Sequence, residues 1–263
     1  MLPKPKHLGR EYAEQFQDRS VVEAYRHRPP YPVGLLEILI DLMDYEPRVV
    51  LDVGCGTGSI ARPLATCVER VDAVDFSQAM IDEGRKLPGG DQPNLTWIHG
   101  RAEDAPLNPP YALITAGASL HWMDWEIVMP RFAEMLVPEG QLAIINDITL
   151  PTPWDRRLKP IISRYSTNKD FRPYTLVTEL ERRRLFEQHG SQRTLPAYFA
   201  QSIDSYIESF HARNGFSRER MGAEMAAAFD EEVRTLVAEF CEDGVVELEI
   251  ACEVIYGTPG RSG

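Results

Sequence analysis

A glycine-rich segment is the part of this sequence whose residue types and spacing most clearly indicate chemistry. The stretch VVLDVGCGTGS carries Asp52 at the end of an apolar run and then places Gly54, Gly56 and Gly58 before a segment of helical pattern. Because glycine has no Cβ, the backbone can turn sharply there and lie against a ligand, and the first turn of a helix offers free N–H groups. The segment therefore predicts a loop that binds a small molecule.

The spacing of these glycines and the acid before them narrow the choice of ligand. Dinucleotide-binding loops carry G-x-G-x-x-G, whereas this loop reads G-x-G-x-G and has Ser59 where that third glycine would be. A carboxylate at Asp52 is unfavourable beside a pyrophosphate and favourable beside a ligand with an ammonium group. A nicotinamide dinucleotide and a plain strand-to-helix turn stay open as alternatives.

A second acid, Asp75, ends the apolar run VDAVD, 17 residues after Gly58. An acid at the tip of the second strand of such a unit can accept hydrogen bonds from both hydroxyls of a ribose. The alternative is that Asp75 caps the helix that follows it.

The elements that must position these residues alternate between short apolar runs and helical patterns. Such alternation is typical of an α/β fold, with a doubly wound parallel sheet covered by helices on both faces. The predicted strands are 48–53, 71–75, 95–100, 111–117 and 141–147, and the predicted helices are 33–43, 59–70, 77–87 and 125–136.

The pattern changes after about Leu150. Residues 178–190 predict a basic-faced helix that ends at Gly190, and two or three helical segments follow the expected strand near 192–200. The run VVELEIACEVIY then alternates apolar and acidic residues, as antiparallel strands do. The predicted parts are an N-terminal segment at 1–32, a core at 33–150, a helical cover at 151–241, and a final antiparallel strand with a tail at 242–263.

Composition argues against several classes of protein. Lysine and arginine total 28 against 40 acidic residues, a net charge of −12 that repels a phosphate backbone, so we expect no nucleic-acid partner. The N-terminus has no apolar core typical of a secretory signal, and no apolar run approaches the ~18–20 residues that span a bilayer. The four cysteines lack CxxC or zinc-site spacing and predict free thiols. We therefore expect a cytoplasmic protein with no membrane segment and no metal.

The motif LDVGCGTGS resembles the first motif of the class I S-adenosylmethionine-dependent methyltransferases, and the resemblance extends over roughly residues 25–148. It is strongest to the small-molecule group that includes trans-aconitate and quinone-type methyltransferases. It implies a Rossmann-like seven-stranded sheet, with a helical cover inserted before the last strand, and S-adenosyl-L-methionine as cofactor. The implied reaction is in-line displacement of a methyl group to a small-molecule acceptor, with oxygen favoured over carbon or nitrogen. An NAD-dependent oxidoreductase and a non-catalytic cofactor-binding member stay open.

The resemblance also implies roles for individual residues around the loop. The Gly54–Gly58 loop, including Gly56, would hold the methionine end of the cofactor, and Asp52 would bind its ammonium group directly or through water. Asp75 would bind the ribose, while Phe76 and Met80 would flank the adenine ring.

Two further loops carry family-like residues. In GRAEDAPL, Ala102 would offer its backbone N–H to the adenine and Glu103 stands where the family often has an acid, although Arg101 replaces the usual aspartate. In ASLHWMDW, Ala118 would line the site of transfer. His121 would act as general base where the acceptor needs one. The alternative for His121 is a packed lid residue.

The segments outside the core are expected to complete the site. By resemblance, Tyr25 would close over the sulfonium and Arg28 would pair with the cofactor carboxylate. Arg182–Arg184 could attract an acidic acceptor, although a solvated helix face is favoured. Aromatic area for an acceptor pocket is expected from Trp154, Phe171, Tyr174, Phe199, Tyr206, Phe210 and His211.

Overall fold

The computed structural model describes residues 4–44 and 46–260, and the chain divides into two compact units. The sheet unit consists of Tyr31–Ile148, Pro173–Leu195 and the chain from Ala251 onward. The helical unit consists of the chain up to Pro30, Thr149–Arg172 and Pro196–Ile250. Residues 1–3 of the predicted N-terminal segment and residues 261–263 of the predicted tail lie outside the described residues.

The strands follow the predicted α/β pattern. Their bounds are β1 Val49–Val53, β2 Arg70–Asp75, β3 Leu95–His99, β4 Tyr111–Gly117, β5 Leu136–Thr149, β6 Phe186–Arg193, β7 Ala197–Ser202 and β8 Val245–Pro259. Seven of them lie side by side in the order β3-β2-β1-β4-β5-β8-β6. β1 to β5 pair in parallel and β6 is antiparallel to β8, so the predicted Rossmann-like class is confirmed.

The sheet has one strand more than the seven predicted. The long strand β8 pairs with β6 through its second part, which belongs to the sheet unit. Its first part belongs to the helical unit and pairs antiparallel with β7. The strand β8 therefore pairs with β7 and β6 in succession, in addition to its place beside β5.

The helices connect these strands or build the helical unit. The α-helices are α1 Arg10–Ala13, α2 Arg19–Ala24, α3 Gly34–Asp41, α4 Ala61–Leu64, α5 Gln78–Gly84, α6 Trp125–Met135, α7 Asp155–Tyr165, α8 Leu176–Arg182, α9 Ile203–His211, α10 Arg218–Met221 and α11 Ala223–Ala238. Short 3-10 helices span Lys6–Leu8, Glu14–Gln17, Tyr25–His27 and Leu120–Trp122. Within the described ranges, no helix combines the length and apolar character that crossing a bilayer requires.

The central strands are buried because helices cover both faces of a parallel sheet. All five residues of β1 are buried, and so are the first six of β4. β1 lies between β2 and β4, with Asp52 opposite Ala73 on one side and Thr115 on the other. This register places Asp52 deep in the sheet, close to the end from which the glycine loop leaves.

One predicted helix is wrong in its second half. Residues 178–190 were expected to form a single helix, but α8 ends at Arg182 and the chain enters β6 at Phe186. Arg184 takes a left-handed conformation with φ +61°, which turns the backbone out of the helix. The helical pattern is overridden because β8 offers this segment a ladder of backbone hydrogen bonds, with Gly190 opposite Tyr256.

Most of the aromatic residues expected to line an acceptor pocket form the core of the helical unit instead. The Tyr206 and Phe210 rings lie 5.2 Å apart, and Phe210 lies 5.7 Å from Phe229. Trp154 Nε1 donates a hydrogen bond to Tyr206 Oη at 3.0 Å. These side chains are buried because they contact one another, so their aromatic area is used in packing.

Candidate active site

The glycine loop connects β1 to α4 through three residues in the left-handed region. Gly54, Gly56 and Gly58 have φ values of +63°, +55° and +75°, a conformation that side-chain-bearing residues rarely adopt. Cys55 N donates to Val74 O at 3.0 Å, which ties the loop to β2. The sequence therefore uses glycine where the backbone requires it.

Two side chains pack so closely against the loop that a Cβ would collide with them. A Cβ on Gly54 would lie 2.5 Å from Ser119 Cβ, and one on Gly58 would lie 2.5 Å from Trp97 Cη2. The same ring atom would lie 2.6 Å from a Cβ on Gly84. Ser119 Oγ also donates to Val53 O at 2.6 Å. The loop is thus held from the β4 side by Ser119 and from the β3 side by Trp97.

Asp75 holds the loop through its carboxylate. Its Oδ2 accepts a hydrogen bond from Gly56 N and its Oδ1 accepts one from Ser77 N, both at 2.8 Å. The helix-cap alternative is wrong, because Ser77 caps α5 by accepting from Met80 N. A carboxylate oxygen has more than one lone pair, so Asp75 retains capacity for ribose hydroxyls.

Burial raises the pKa of Asp75 to about 6, because its carboxylate is 6% exposed, although the two backbone N–H groups and the charge of His99 act in the opposite direction. The side chain is therefore partly protonated just below neutral pH.

Asp52 is a buried acid, and only one of its two carboxylate oxygens accepts a hydrogen bond of standard geometry within the described residues. It is 1% exposed, and its Oδ1 accepts a hydrogen bond from Thr115 Oγ1 at 2.9 Å. Its Oδ2 forms no hydrogen bond of standard geometry within residues 4–44 and 46–260, although the Ala61 N–H at the start of α4 lowers the pKa of this acid. Burial dominates and raises the pKa of Asp52 to about 7, with a smaller contribution from the charge of Asp75. A buried, unsatisfied carboxylate oxygen beside a glycine loop suits a cationic ligand group.

The loop after β3 lies beside Asp75. Gly100 N donates to Asp75 O at 2.9 Å, which brings the segment with Ala102 and Glu103 to the end of β2. Ala102 is buried, and Glu103 accepts a hydrogen bond from Asp124 N at 2.8 Å at the start of α6. Glu103 therefore has a structural partner whatever else it binds.

The two residues predicted to flank the adenine follow directly after β2. Met80 is buried in α5, and Phe76 is half-buried with its carbonyl 3.2 Å from His99 Nε2. They lie on the same side of the loop as Asp75, so their predicted role stays open to test.

The residues after β4 lie on the other side of the loop. Ala118 has a positive φ of 49°, unusual for alanine, and its N–H donates to Ile145 O. His121 lies in the 3-10 helix Leu120–Trp122, is half-buried, and has its ring centroid 4.6 Å from that of Trp122. Ala118 thus adjoins Ser119 and the loop, and the catalytic role of His121 stays a prediction.

Tyr25 and Arg28 belong to the helical unit and contact each other. Arg28 Nη1 donates to Tyr25 Oη at 3.3 Å, and the guanidinium carbon lies 5.3 Å from the centre of the Tyr25 ring. Their predicted contacts with a cofactor stay a prediction.

The arginine run at 182–184 is largely paired. Arg182 donates to Glu179, and Arg183 pairs with Glu179 and with Glu126 at 3.2 Å while lying over the Trp125 ring. These contacts reduce the positive charge that the run offers to an acidic acceptor.

Sequence reasoning missed two residues of the site, Thr115 and Trp97. Thr115 is a polar residue in the otherwise apolar run of β4, and this interruption was the available signal. Trp97 gave no signal, because its contact with Gly58 depends on how β3 packs. Among the residues that the structure describes, no group of three histidine, cysteine, aspartate or glutamate side chains is arranged to hold a metal ion.

Comparisons with known proteins agree with this geometry. Residues 50–140 match the family model described as a methyltransferase domain. An uncharacterized methyltransferase of Mycobacterium tuberculosis is 35% identical over 149 residues, which cover 55% of this chain and 58% of that protein. A malonyl-[acyl-carrier protein] O-methyltransferase of Halalkalibacterium halodurans is 37% identical over 108 residues, covering 37% of this chain and 38% of that protein. The chain thus spans little more than half the length of the first of these curated relatives and less than two fifths of the second.

A solved structure extends the likeness to the whole fold. A putative type II methyltransferase from Anaeromyxobacter dehalogenans superposes with a TM-score of 0.63 at 22% sequence identity, covering 89% of this chain and 99% of that one. At that identity the likeness concerns the fold. The chain therefore contains, at residues 50–140, a segment that matches a methyltransferase domain, and its fold is similar to that of a solved putative methyltransferase.

Proposed function

We propose that this protein is an enzyme that binds S-adenosyl-L-methionine at the glycine loop and transfers its methyl group to a small-molecule acceptor. The observation that carries the proposal is the buried Asp52, whose Oδ2 has no standard hydrogen bond within the described residues, beside three glycines of positive φ. An acid in this setting suits the ammonium group of the cofactor, and the three glycines let a ligand lie close against the loop backbone.

The chain's own residues would orient and shield the reactants. Bound S-adenosylmethionine would supply a methyl group already activated on a sulfonium, so little covalent chemistry is left to the protein. Asp75 and the loop would hold the ribose and the methionine end, and Ala118 and Ser119 border the loop on the β4 side. Their contribution is orientation and exclusion of water.

The acceptor is proposed to be a small molecule methylated on oxygen. The O-methyltransferase relative supports oxygen, although only 37% of this chain aligns with it. A carboxylate acceptor would need no general base, whereas a hydroxyl or a carbon acid would use His121 in that role. A net charge of −12 argues against nucleic acid as the acceptor. A cytoplasmic location fits the free thiols.

Two other functions can be separated from this one by binding measurements. An NAD-dependent oxidoreductase would place a pyrophosphate against the loop, where the carboxylate of Asp52 repels it. A non-catalytic family member would bind the cofactor and transfer nothing.

The test is isothermal titration of the full-length protein with S-adenosylhomocysteine and, separately, with NAD. We expect binding of the first and not the second, and loss of binding in Asp75→Ala but not in the exposed control Asp104→Ala. Transfer is then measured with tritiated S-adenosylmethionine and a panel of carboxylate, hydroxyl and amine acceptors. Binding of NAD alone would overturn the proposal, and tight cofactor binding without transfer to any acceptor would favour the non-catalytic member.

A further inference from the structure

A threonine in the middle of the sheet contacts the acid beneath the glycine loop. Thr115 on β4 is directly opposite Asp52 on β1 in the parallel register, and its side chain is fully buried. Its hydroxyl lies 2.9 Å from Asp52 Oδ1 and 3.5 Å from Leu51 O. A hydroxyl has a single hydrogen to donate, so the shorter contact with the carboxylate is the one it makes.

This hydrogen bond has two consequences for Asp52. It occupies Oδ1 and so fixes the plane of the carboxylate, leaving Oδ2 for another partner. A donor that bonds to the ionised form also stabilises that form against burial. Thr115 therefore acts on both the orientation and the charge of the acid.

Other groups around Asp52 also raise or lower its pKa, and the effect of Thr115 adds to theirs. From β2, the carboxylate of Asp75 disfavours a second negative charge and raises the pKa of Asp52. From α4, the Ala61 N–H lowers the pKa, as Thr115 does from β4. The Cys55 thiol in the loop is buried with a raised pKa, so it stays neutral. His99 bears on Asp75, whose pKa it lowers. Among residues 4–44 and 46–260, Thr115 is the only one whose side chain donates a hydrogen bond to Asp52.

We propose that Thr115 is a positioning residue that holds the Asp52 carboxylate oriented and ionised for the ammonium group of the cofactor, so that cofactor binding releases a proton from Asp52 to solvent. The proposal rests on the proposed function. It concerns a residue that would not touch the cofactor itself and would act only through Asp52.

The expected signature is a dependence of affinity on pH. A cationic group binds the ionised acid, so affinity rises with pH until the free protein has lost the proton, near the pKa of about 7 for Asp52. Removing the hydroxyl in Thr115→Val raises that pKa and moves the profile upward. If the substitution raises the pKa of Asp52 by about one, the affinity of the variant for S-adenosylhomocysteine is about eightfold below that of the wild type at pH 6.5. At pH 8.5 the two affinities differ by less than about twofold. A purely structural defect would weaken binding equally at both pH values.

The experiment is calorimetric titration with S-adenosylhomocysteine from pH 5.5 to 8.5, in two buffers of different ionisation enthalpy that report the proton released. We expect Thr115→Val to show the shifted profile and the larger proton release, and Thr115→Ser to restore the wild-type profile. The matched control is Thr96→Val, an exposed strand threonine of the same sheet. If Thr115→Val does not fold, Thr115→Ala also lacks the hydroxyl and is measured in the same way.

A second readout needs no ligand. Carbon-13 NMR of the Asp52 carboxyl in the free protein should show a higher pKa in Thr115→Val than in the wild type. An unchanged Asp52 titration, or wild-type binding with an unshifted pH profile in the variant, would overturn the role of Thr115 alone. Absence of S-adenosylhomocysteine binding by the wild-type protein at every pH would overturn the proposed function instead.

Discussion

The carboxylate of Asp75 accepts a hydrogen bond from Gly56 N at 2.8 Å. The acid at the end of β2 therefore fixes the loop that leaves β1, in addition to any bond it makes to a ribose. Because Gly56 N–H is engaged by the protein itself, this backbone group is not free for a ligand. The loop and the acid form one structural unit, and a change in either is expected to affect both.

The first prediction concerns Asp75→Asn. The variant keeps one carboxylate oxygen as the amide oxygen and replaces the other with an NH₂ group. This NH₂ group cannot accept a hydrogen bond from Gly56 N. Hydrogen bonds to a charged group contribute about 1.5–3 kcal/mol each, so we expect affinity for S-adenosylhomocysteine to fall roughly 10–100-fold. Calorimetric titration at pH 8, where the wild-type acid is ionised, measures this. Asp104→Asn is the exposed control. Wild-type affinity in Asp75→Asn would contradict the proposed contact with the ribose and the importance of the Gly56 hydrogen bond for binding.

The second prediction concerns Gly58→Ala. The backbone at Gly58 has φ +75°, a conformation that alanine rarely adopts. The new Cβ would also lie 2.5 Å from the Trp97 ring. Strain and overpacking together should cost about 2–4 kcal/mol of unfolding free energy and should weaken cofactor binding. Urea unfolding measures the loss.

A matched control separates the two causes in Gly58→Ala. Gly244 also has a positive φ, +70°, but a Cβ there meets nothing within 4 Å. Gly244→Ala should therefore cost only the backbone strain, about 1–2 kcal/mol. Adding Trp97→Leu to Gly58→Ala should recover part of the loss, and equal effects of the two alanine variants would argue against the Trp97 contact.

The third prediction concerns the dependence of stability on pH. Burial raises the pKa of Asp52 to about 7, above its value in the unfolded chain. Between about pH 4 and pH 7 the folded state therefore holds a proton that the unfolded state has lost, and stability falls as pH rises through this range. Asp52→Asn removes the titration. The variant should exceed the wild type in unfolding free energy by about 2–4 kcal/mol at pH 8 and by little at pH 4.

Urea unfolding at pH 4, 6 and 8 checks this, with the exposed Asp104→Asn as control. The same Asp52→Asn protein should bind S-adenosylhomocysteine more weakly, because the negative charge is gone. A variant that is less stable than the wild type at pH 8 would refute the assignment of Asp52 as a buried, unsatisfied acid.

The fourth prediction concerns the core of the helical unit. His211 is fully buried, with Nδ1 at 2.7 Å from Phe216 O and Nε2 at 2.7 Å from Asp230 Oδ1. Asp230 also pairs with Arg218 at 2.9 Å, and the hydrogen bonds from His211 and Arg218 outweigh burial and lower the pKa of Asp230, so Asp230 carries the negative charge of this cluster. Asp230→Asn removes the negative charge that pairs with Arg218 and contacts His211, and should cost about 2–4 kcal/mol of stability.

The control for Asp230→Asn is Asp204→Asn, which breaks an exposed ion pair with Arg234 and should cost less than about 1 kcal/mol. Thermal unfolding compares the two variants. Similar melting temperatures for both would contradict the role of Asp230 as the buried partner of His211 and Arg218.

The sheet core and the glycine loop were accessible from local sequence. The run predicted at 111–117 is the observed strand Tyr111–Gly117, and 48–53 became Val49–Val53. Strands buried on both faces consist almost entirely of apolar residues, so they are distinct even in a single sequence. The glycines were equally clear, since only glycine readily takes the left-handed backbone that this turn requires.

Tertiary structure decided what depends on contacts between distant segments. The helical pattern at 178–190 became partly strand β6 because β8, some 70 residues further on, supplied its hydrogen-bonding partner. The hydrogen bond from Thr115 to Asp52 follows from strand register, and the contact of Trp97 with Gly58 follows from how β3 packs. Local sequence shows which residues can lie on a strand or in a turn. Which residue donates to a buried carboxylate, and which strand pairs with a given segment, depends on how distant parts of the chain pack together.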